Sequence, residues 1–174
     1  YAQAIQFLQR ALTFDRHFVK GYHNMGVIYL HMHDYDKSQL AFQMSISEQP
    51  DFAPSHAGLA EIYATTGKLA DAILSFTESL RLREDPQVRL NLGLAYLQDG
   101  QHMQAVEQFT AVEKSSTDPY SKYLAYFNRA DALAVKNRHE EAVSDYQAAL
   151  ALAPKDVDVL FNLGLSLTTL DRKK

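Results

Sequence analysis

The histidines and acidic pairs of this sequence could bind a metal, but their spacing argues against it. His31 and His33 are two residues apart, so on a helix their side chains point to different faces. His23 and His31 could share a face, but eight residues of helix span about 12 Å, too far for one ion. His139 lacks the second histidine of a zinc-protease motif, and residues 34–36 lack the glycine of a calcium loop. We therefore expect no metal and no cofactor.

Catalysis and nucleic-acid binding also lack the residues that they need. The chain of 174 residues has no cysteine, which excludes disulfides, thiolate-bound metals and a cysteine nucleophile. Glu61 and Asp131 lie far apart in the sequence and are better interpreted as acidic spots that select a basic or polar ligand. The net charge of −4 and the shortness of the basic stretches at 81–83 and 172–174 argue against a nucleic-acid partner. No apolar run reaches the ~20 residues of a membrane span. We expect neither an enzyme nor membrane insertion.

A more regular feature is an asparagine that recurs among similar neighbours. Asn24, Asn91 and Asn162 each begin a segment of the form Asn–apolar–Gly–apolar, and Asn128 occupies the same place before an arginine and an alanine. A side-chain amide carries two donors and an acceptor, which match the backbone groups of an extended peptide. To present these amides on one surface, the chain must repeat the element that carries them.

Three series of residues indicate that this element is a pair of helices. Small residues recur at steps of 34, 33, 37 and 34 residues, at Gly26, Ala60, Gly93, Ala130 and Gly164. A second small series follows them, at Ala4, Ser38, Ala72, Ala105 and Ala142. A large apolar series comes third, at Leu8, Phe42, Phe76, Phe109 and Tyr146. Apolar spacings of three and four residues within each copy predict helices, and the small residues let two helix axes approach closely.

The turns between the paired helices fall at His33, Gly67, Gly100, Asn137 and Asp171. Glycine and asparagine favour the left-handed conformation that closes a helix, so His33 departs from the pattern and its turn is expected to differ. Arg129 stands where the other copies are apolar; we expect its stem to pack and its head to reach water. Three extra residues, Tyr120–Lys122, follow a predicted loop at 115–119 and predict either a local change of twist or a longer connection without consequence.

The sequence resembles an array of tetratricopeptide repeats, a family of 34-residue helix–turn–helix units. The resemblance implies an all-α, right-handed α-solenoid that covers the chain. Each repeat consists of a first helix, A, and a second helix, B. The ranges are a half repeat at 1–18 (helix B only), repeats at 19–52, 53–85, 86–119 and 123–156, an insertion at 120–122, and a half repeat at 157–174 (mainly helix A). Because the first residue is Tyr1, we expect the sequence to be trimmed from a longer one.

By resemblance to the family, the first (A) helix of each repeat lines a concave groove that binds protein segments. The implied peptide-binding residues are Asn24, Asn91, Asn128, Asn162, His23, Val27, His31, Glu61, Leu90, Leu94, Leu97, Phe127, Asp131 and Phe161. Two alternatives stay open: the asparagines bind peptide or only brace the fold, and the apolar wall is exposed or packs between neighbours. Gly58 interrupts the asparagine series. The cations of the family's carboxylate clamp are absent, so chaperone tails are not expected as partners.

The function expected from this resemblance is a non-catalytic scaffold or adaptor that binds an extended peptide or a partner helix. One alternative is the substrate-selecting region of a larger enzyme. Another is a self-assembling scaffold, because Leu160, Leu163, Leu167 and Leu170 leave an apolar last helix that favours end-to-end self-association. The expected compartment is the cytoplasm, with a periplasmic or organellar location left open.

Overall fold

The computed structural model describes residues 1–172, which form ten α-helices and no strand. Residues 173 and 174, part of the basic stretch and of the last half repeat considered above, lie outside the described residues. The helices are α1 (Ala2–Phe14), α2 (Val19–His31), α3 (Tyr35–Glu48), α4 (Ala53–Thr65), α5 (Leu69–Leu82), α6 (Pro86–Gln98), α7 (His102–Ser115), α8 (Pro119–Val135), α9 (His139–Leu152) and α10 (Val157–Asp171). They form two compact units, Tyr1–Glu84 and Asp85–Lys174, called here the N-terminal and C-terminal units.

Aspartates and prolines define where several helices begin. The carboxylates of Asp34, Asp85, Asp118 and Asp156 accept hydrogen bonds from backbone N–H groups in the first turns of α3, α6, α8 and α10. These N–H groups have no partner within a helix, so an aspartate cap stabilises the helix by about 1 kcal/mol. Proline occupies the first turn of α4, α6 and α8, where its missing N–H costs nothing.

The turns within the helix pairs share one left-handed residue. Its φ is +57° at His33, +76° at Gly67, +75° at Gly100 and +58° at Asn137. The next backbone N–H then donates to a carbonyl five residues earlier, as from Asp34 to Tyr29 and from Arg138 to Leu133, both at 2.9 Å. The expectation that the His33 turn differs was therefore wrong. Asp171 was expected in such a turn but is the last residue of α10.

In the N-terminal unit, consecutive helices pack on one another, and the two A helices, α2 and α4, are also in contact. The fully buried ring of Phe42, from α3, packs with Leu59 and Ile62 of α4 and with half-buried apolar residues of α2 and α3. Its ring lies directly against the backbone of Gly26 and Gly58. The small residues of α2 and α4 therefore make room for one aromatic side chain.

In the C-terminal unit, the three A helices α6, α8 and α10 form one layer, since α8 contacts both of the others. Helix α7 packs against α6 and α8, and α9 packs against α8 and α10. Phe109 and Tyr146 each centre a separate cluster of buried apolar side chains. The core is thus built repeat by repeat.

The three extra residues Tyr120–Lys122 are helical and form the first turn of α8. This helix has 17 residues, whereas the A helices α2, α4 and α6 have 13 each and α10 has 15. The carboxylate of Asp118 caps it by accepting from both the backbone N–H and the hydroxyl of Ser121, at 2.8 and 2.7 Å. The insertion therefore lengthens a helix.

Candidate functional site: the A-helix faces

The A-helix face of the N-terminal unit holds His23 in an aromatic setting. Its ring centroid lies 5.5 Å from that of Phe42 and 5.4 Å from that of Phe52. Its Nδ1 lies 3.1 Å from the hydroxyl of Ser55. Burial lowers the pKa of His23 below its ordinary value, so the ring is neutral at pH 7. The other ring nitrogen, Nε2, is not among the buried unpartnered nitrogens and is accessible to solvent.

A chain of buried hydroxyls fixes the position of the His23 proton. The Ser45 hydroxyl donates to the carbonyl of Val19 at 3.2 Å, and the Ser55 hydroxyl donates to Ser45 at 2.7 Å. Both serines are fully buried. Because each hydroxyl has one proton, and the proton of Ser55 is donated to Ser45, Ser55 must accept in its contact with His23, which therefore donates from Nδ1–H. The accessible Nε2 is then a hydrogen-bond acceptor.

We therefore expect His23 to carry its proton on Nδ1 at neutral pH. A long-range ¹H–¹⁵N correlation spectrum distinguishes the two tautomers directly, and a Ser55→Ala variant should lose the preference because Nδ1 then has no acceptor. A native His23 ring protonated mainly on Nε2 would contradict the proton directions inferred here.

The recurring asparagines lie on these faces, but those of the C-terminal unit already have partners in their own unit. Asn24 is exposed. Asn91 accepts from Gln87 at 3.2 Å, and the Nδ2 of Asn128 donates to the carbonyl of Leu124 at 2.7 Å. Asn162 donates to Asp131 at 3.0 Å. Since an amide has two donor hydrogens and an acceptor oxygen, each keeps capacity for a ligand.

The structure explains why glycine interrupts the series at residue 58. A β-carbon added to Gly58 would overlap the ring of Phe42, which enters from the preceding repeat. An asparagine cannot occupy this place without displacing a fully buried phenylalanine. The gap in the asparagine series is therefore a consequence of packing.

The apolar residues implied for the groove differ in accessibility. The prediction that Leu90 lines an accessible groove wall was wrong. Leu90 is only 1% exposed and packs in the Phe109 cluster, so it is a core residue. Leu94 and Leu97 are half-buried against the same cluster, and Val27 is half-buried against the Phe42 cluster. Phe161 of α10 is 64% exposed.

The two remaining implied residues of the N-terminal unit, His31 and Glu61, are both exposed. The ring of His31 stacks on that of Tyr1 at a centroid distance of 6.4 Å. Although the residue as a whole is exposed, the protein atoms around the Glu61 carboxyl partly desolvate it and raise its pKa. The imidazole of His31 thus lies on α2 and the carboxyl of Glu61 on α4, and no hydrogen bond joins them directly.

The C-terminal unit contains an open concavity of about 570 Å³ between α8, α9 and α10. Asp131 lines it, and its Oδ1 accepts from the hydroxyl of Tyr146 at 2.6 Å and from Nδ2 of Asn162 at 3.0 Å. Desolvation raises the pKa of the Asp131 carboxyl despite these two donors. Nearby, Phe127 stacks on Tyr123 and tilts against Tyr146. Two of the predicted site residues, Asp131 and Asn162, thus meet directly.

Sequence reasoning missed Tyr146 and Ser55 as members of these sites. Tyr146 was assigned to the large apolar series, where Phe42 and Phe109 stand in other copies. The available signal was its hydroxyl, which needs a partner when the ring is buried. For Ser55 no sequence signal existed, because its partner His23 lies on another helix.

Within residues 1–172, no group of three or more histidine, aspartate or glutamate side chains is arranged to hold a metal ion. None of the helices there has the length and apolar character that crossing a membrane requires.

Comparison with known proteins identifies the repeats. Sequence models of the tetratricopeptide repeat match residues 19–52, 55–90 and 90–157, which together make up most of the chain. The chain belongs to the tetratricopeptide repeat family. The resemblance drawn from the sequence and the predicted all-α solenoid class are thereby confirmed. Such repeats support a protein-interaction module as the general role of the chain, and the fold is typically non-catalytic.

Two relatives of this tetratricopeptide repeat chain are much longer than it is. Anaphase-promoting complex subunit 3 of Schizosaccharomyces pombe is 25% identical over 169 residues, which is 94% of this chain and 24% of that protein. The peroxisomal targeting signal receptor of Kluyveromyces lactis is 37% identical over 84 residues, or 47% of this chain and 14% of the receptor. The chain spans about a quarter or less of the length of these two relatives.

Among solved structures, YrrB is similar with a TM-score of 0.84 at 16% sequence identity, covering 96% of this chain and 85% of that chain. YrrB is described as a tetratricopeptide repeat protein with an unusual peptide-binding site. At this identity, the likeness concerns the fold alone.

Proposed function

We propose that this chain is a non-catalytic scaffold or adaptor that binds an extended peptide on its A-helix faces. The observation that carries the proposal is the placement of Asn91, Asn128 and Asn162 on α6, α8 and α10, three helices of one layer. All three amides are half-buried and keep hydrogen-bonding capacity beyond their internal partners. An extended peptide presents alternating N–H and C=O groups that such amides can pair.

Exposed apolar side chains on the same helices support the proposal. Phe161 and Leu165 of α10 are 64% and 53% exposed, and Val135 at the end of α8 is 60% exposed. Covering such side chains removes apolar surface from water, which contributes about 25 cal/mol per Å². The amides would then set the position of the peptide backbone, while the apolar side chains contribute affinity.

The repeat frames 19–52, 53–85, 86–119 and 123–156, with half repeats at 1–18 and 157–174, are part of the same proposal. The proposal includes no catalytic step, because equilibrium binding of a peptide is sufficient to explain the arrangement of the amides. The resemblance of YrrB, a protein with a peptide-binding site, is consistent with this role.

The test uses dodecapeptides selected from a random library displayed on phage against the native chain. The best peptide is synthesised with a fluorescein label, and its dissociation constant is measured by fluorescence anisotropy. We expect Asn91→Ala combined with Asn128→Ala to weaken binding by about 10-fold, since each hydrogen bond contributes about 0.5–1.5 kcal/mol. Asn162 is left intact because it also holds Asp131.

The matched control is Gln147→Ala, which removes an exposed amide from α9, a second (B) helix of a repeat. This variant should bind as the native chain does. Circular dichroism verifies that all variants are folded. Equal affinity of the folded double variant and the native chain overturns the role of the amides, and a library that yields no binding peptide overturns the proposed function.

A further inference from the structure

We propose that the concavity between α8, α9 and α10 binds the cationic side chain of a lysine or arginine in the bound peptide. The proposal rests on the proposed function and specifies the chemistry of its ligand. Asp131 would supply the charge partner, and the apolar walls would hold the methylene stem.

The carboxylate of Asp131 is held in place by neutral donors. Tyr146 and Asn162 both donate to Oδ1, at 2.6 and 3.0 Å, and so fix its orientation. Within residues 1–172, Asp131 forms no salt bridge. The second oxygen, Oδ2, is not among the buried atoms that lack a partner, and Asp131 is one of the residues that line the concavity. A fixed carboxylate oxygen without a cation is therefore available to a ligand.

The surroundings of Asp131 make a cation more favourable than a neutral donor. The site solvates the carboxylate poorly, and the negative charge of Asp158 adds to the local potential. A charged donor forms a hydrogen bond with a carboxylate about twice as strong as a neutral donor does. Opposite charges also attract more strongly where water is partly excluded. Lysine and arginine are the protein side chains with a permanent charge of this sign.

The walls of the concavity fit the rest of such a side chain. Ala134, Val135 and Leu165 contribute apolar surface around the carboxylate. Lysine and arginine stems pack along surfaces of this kind while their charged heads reach a polar partner. The volume of about 570 Å³ admits one long side chain and adjoining peptide backbone. His139 also lines the concavity, and its buried Nδ1 has no hydrogen-bond partner. The same is true of His102, which likewise begins a B helix, so we do not assign this feature to the concavity.

The experiment uses the fluorescein-labelled dodecapeptides selected against the native chain. We expect them to contain lysine or arginine, and replacing the critical one by norleucine should weaken binding by about 10-fold or more. Asp131→Asn should abolish this difference while keeping an oxygen that accepts from Tyr146. Asp99→Asn, an equal charge change at the exposed C-terminal end of α6, should leave the difference intact.

The outcomes separate the two proposals. Peptides that bind equally well with norleucine, or a lysine effect that persists in folded Asp131→Asn, overturn the cation site and leave the peptide-binding role standing. A selection that yields no binding peptide overturns both. If Asp131→Asn is unfolded by circular dichroism, Asp131→Ser provides the second variant: it removes the charge, so the norleucine difference should disappear, and an unchanged difference overturns the site.

Discussion

Replacing Arg129 with alanine is expected to lower the free energy of unfolding by about 3–5 kcal/mol. The guanidinium donates to Asp145 twice, from Nε and Nη2, both at 2.7 Å. It also donates to Glu113 at 2.9 Å and to Thr110 at 3.0 Å, and it lies over the ring of Tyr126. Urea denaturation followed by circular dichroism measures the change.

The size of this expected loss of stability follows from the burial of the Arg129 and Asp145 side chains. The side chains of Arg129 and Asp145 are 13% and 10% exposed, so removing the arginine leaves a carboxylate with little water and no cation. Hydrogen bonding to Asp145 raises the pKa of Arg129, which stays charged throughout the ordinary pH range. This network joins α7, α8 and α9.

Arg138→Ala is the matched control. Arg138 forms the same two-bond pair with Glu141, at 2.6 and 2.7 Å, but these side chains are 40% and 56% exposed, and we expect a loss of at most about 0.5 kcal/mol. Equal losses for the two variants would contradict the role assigned to burial. A double variant, Arg129→Met with Asp145→Ala, should recover much of the stability, because it removes both buried charges together.

Sequence reasoning placed Arg129 correctly on an A helix, but it did not foresee that two carboxylates hold the guanidinium and leave the side chain only 13% exposed. The carboxylates that hold it, Glu113 and Asp145, are each 16 residues away along the chain, on the two B helices beside it. The departure of Arg129 from the repeat pattern was visible in the sequence. Its contacts with Glu113 and Asp145 were not, because spacing within one helix says nothing about residues on the neighbouring helices.

The fold was predictable because the residues that pack between the helices recur at fixed positions in each repeat. The small residues at Gly26 and Gly93 do face the aromatic rings of Phe42 and Phe109. The turn at His33 was misjudged because residue preference was given more weight than the helix pairing around it. In the structure, backbone hydrogen bonds of the same form as at Asn137 hold His33 in the left-handed conformation.

The candidate site was predictable only in part. The recurrence of asparagine located the A-helix faces, but it could not reveal that Asn162 orients Asp131, since that contact joins two repeats. Leu90 and Leu94 look equivalent in sequence, yet one is core and the other half-buried. Such differences arise from the angle at which neighbouring helices cross, and residue type alone does not determine that angle.

Gly93→Ala is expected to lower the free energy of unfolding by about 1–3 kcal/mol, although alanine is the better helix former. A β-carbon on Gly93 would lie 2.5 Å from Cε1 and 2.9 Å from Cζ of Phe109. This ring is fully buried within its cluster and cannot rotate away without displacing its neighbours. The measurement is again urea denaturation.

Gly164→Ala is the control, because Gly164 holds the same repeat place on α10 and, apart from the backbone of its own helix, no atom of residues 1–172 lies within 4 Å of an added β-carbon. Its helix should gain about 0.5–1 kcal/mol, so the same substitution at equivalent places should have opposite signs. A further variant, Gly93→Ala with Phe109→Leu, should lose less than the sum of its parts, because the smaller side chain relieves the overlap. If Gly93→Ala were as stable as the native chain, close approach of helix to ring could not be the reason for glycine at this place.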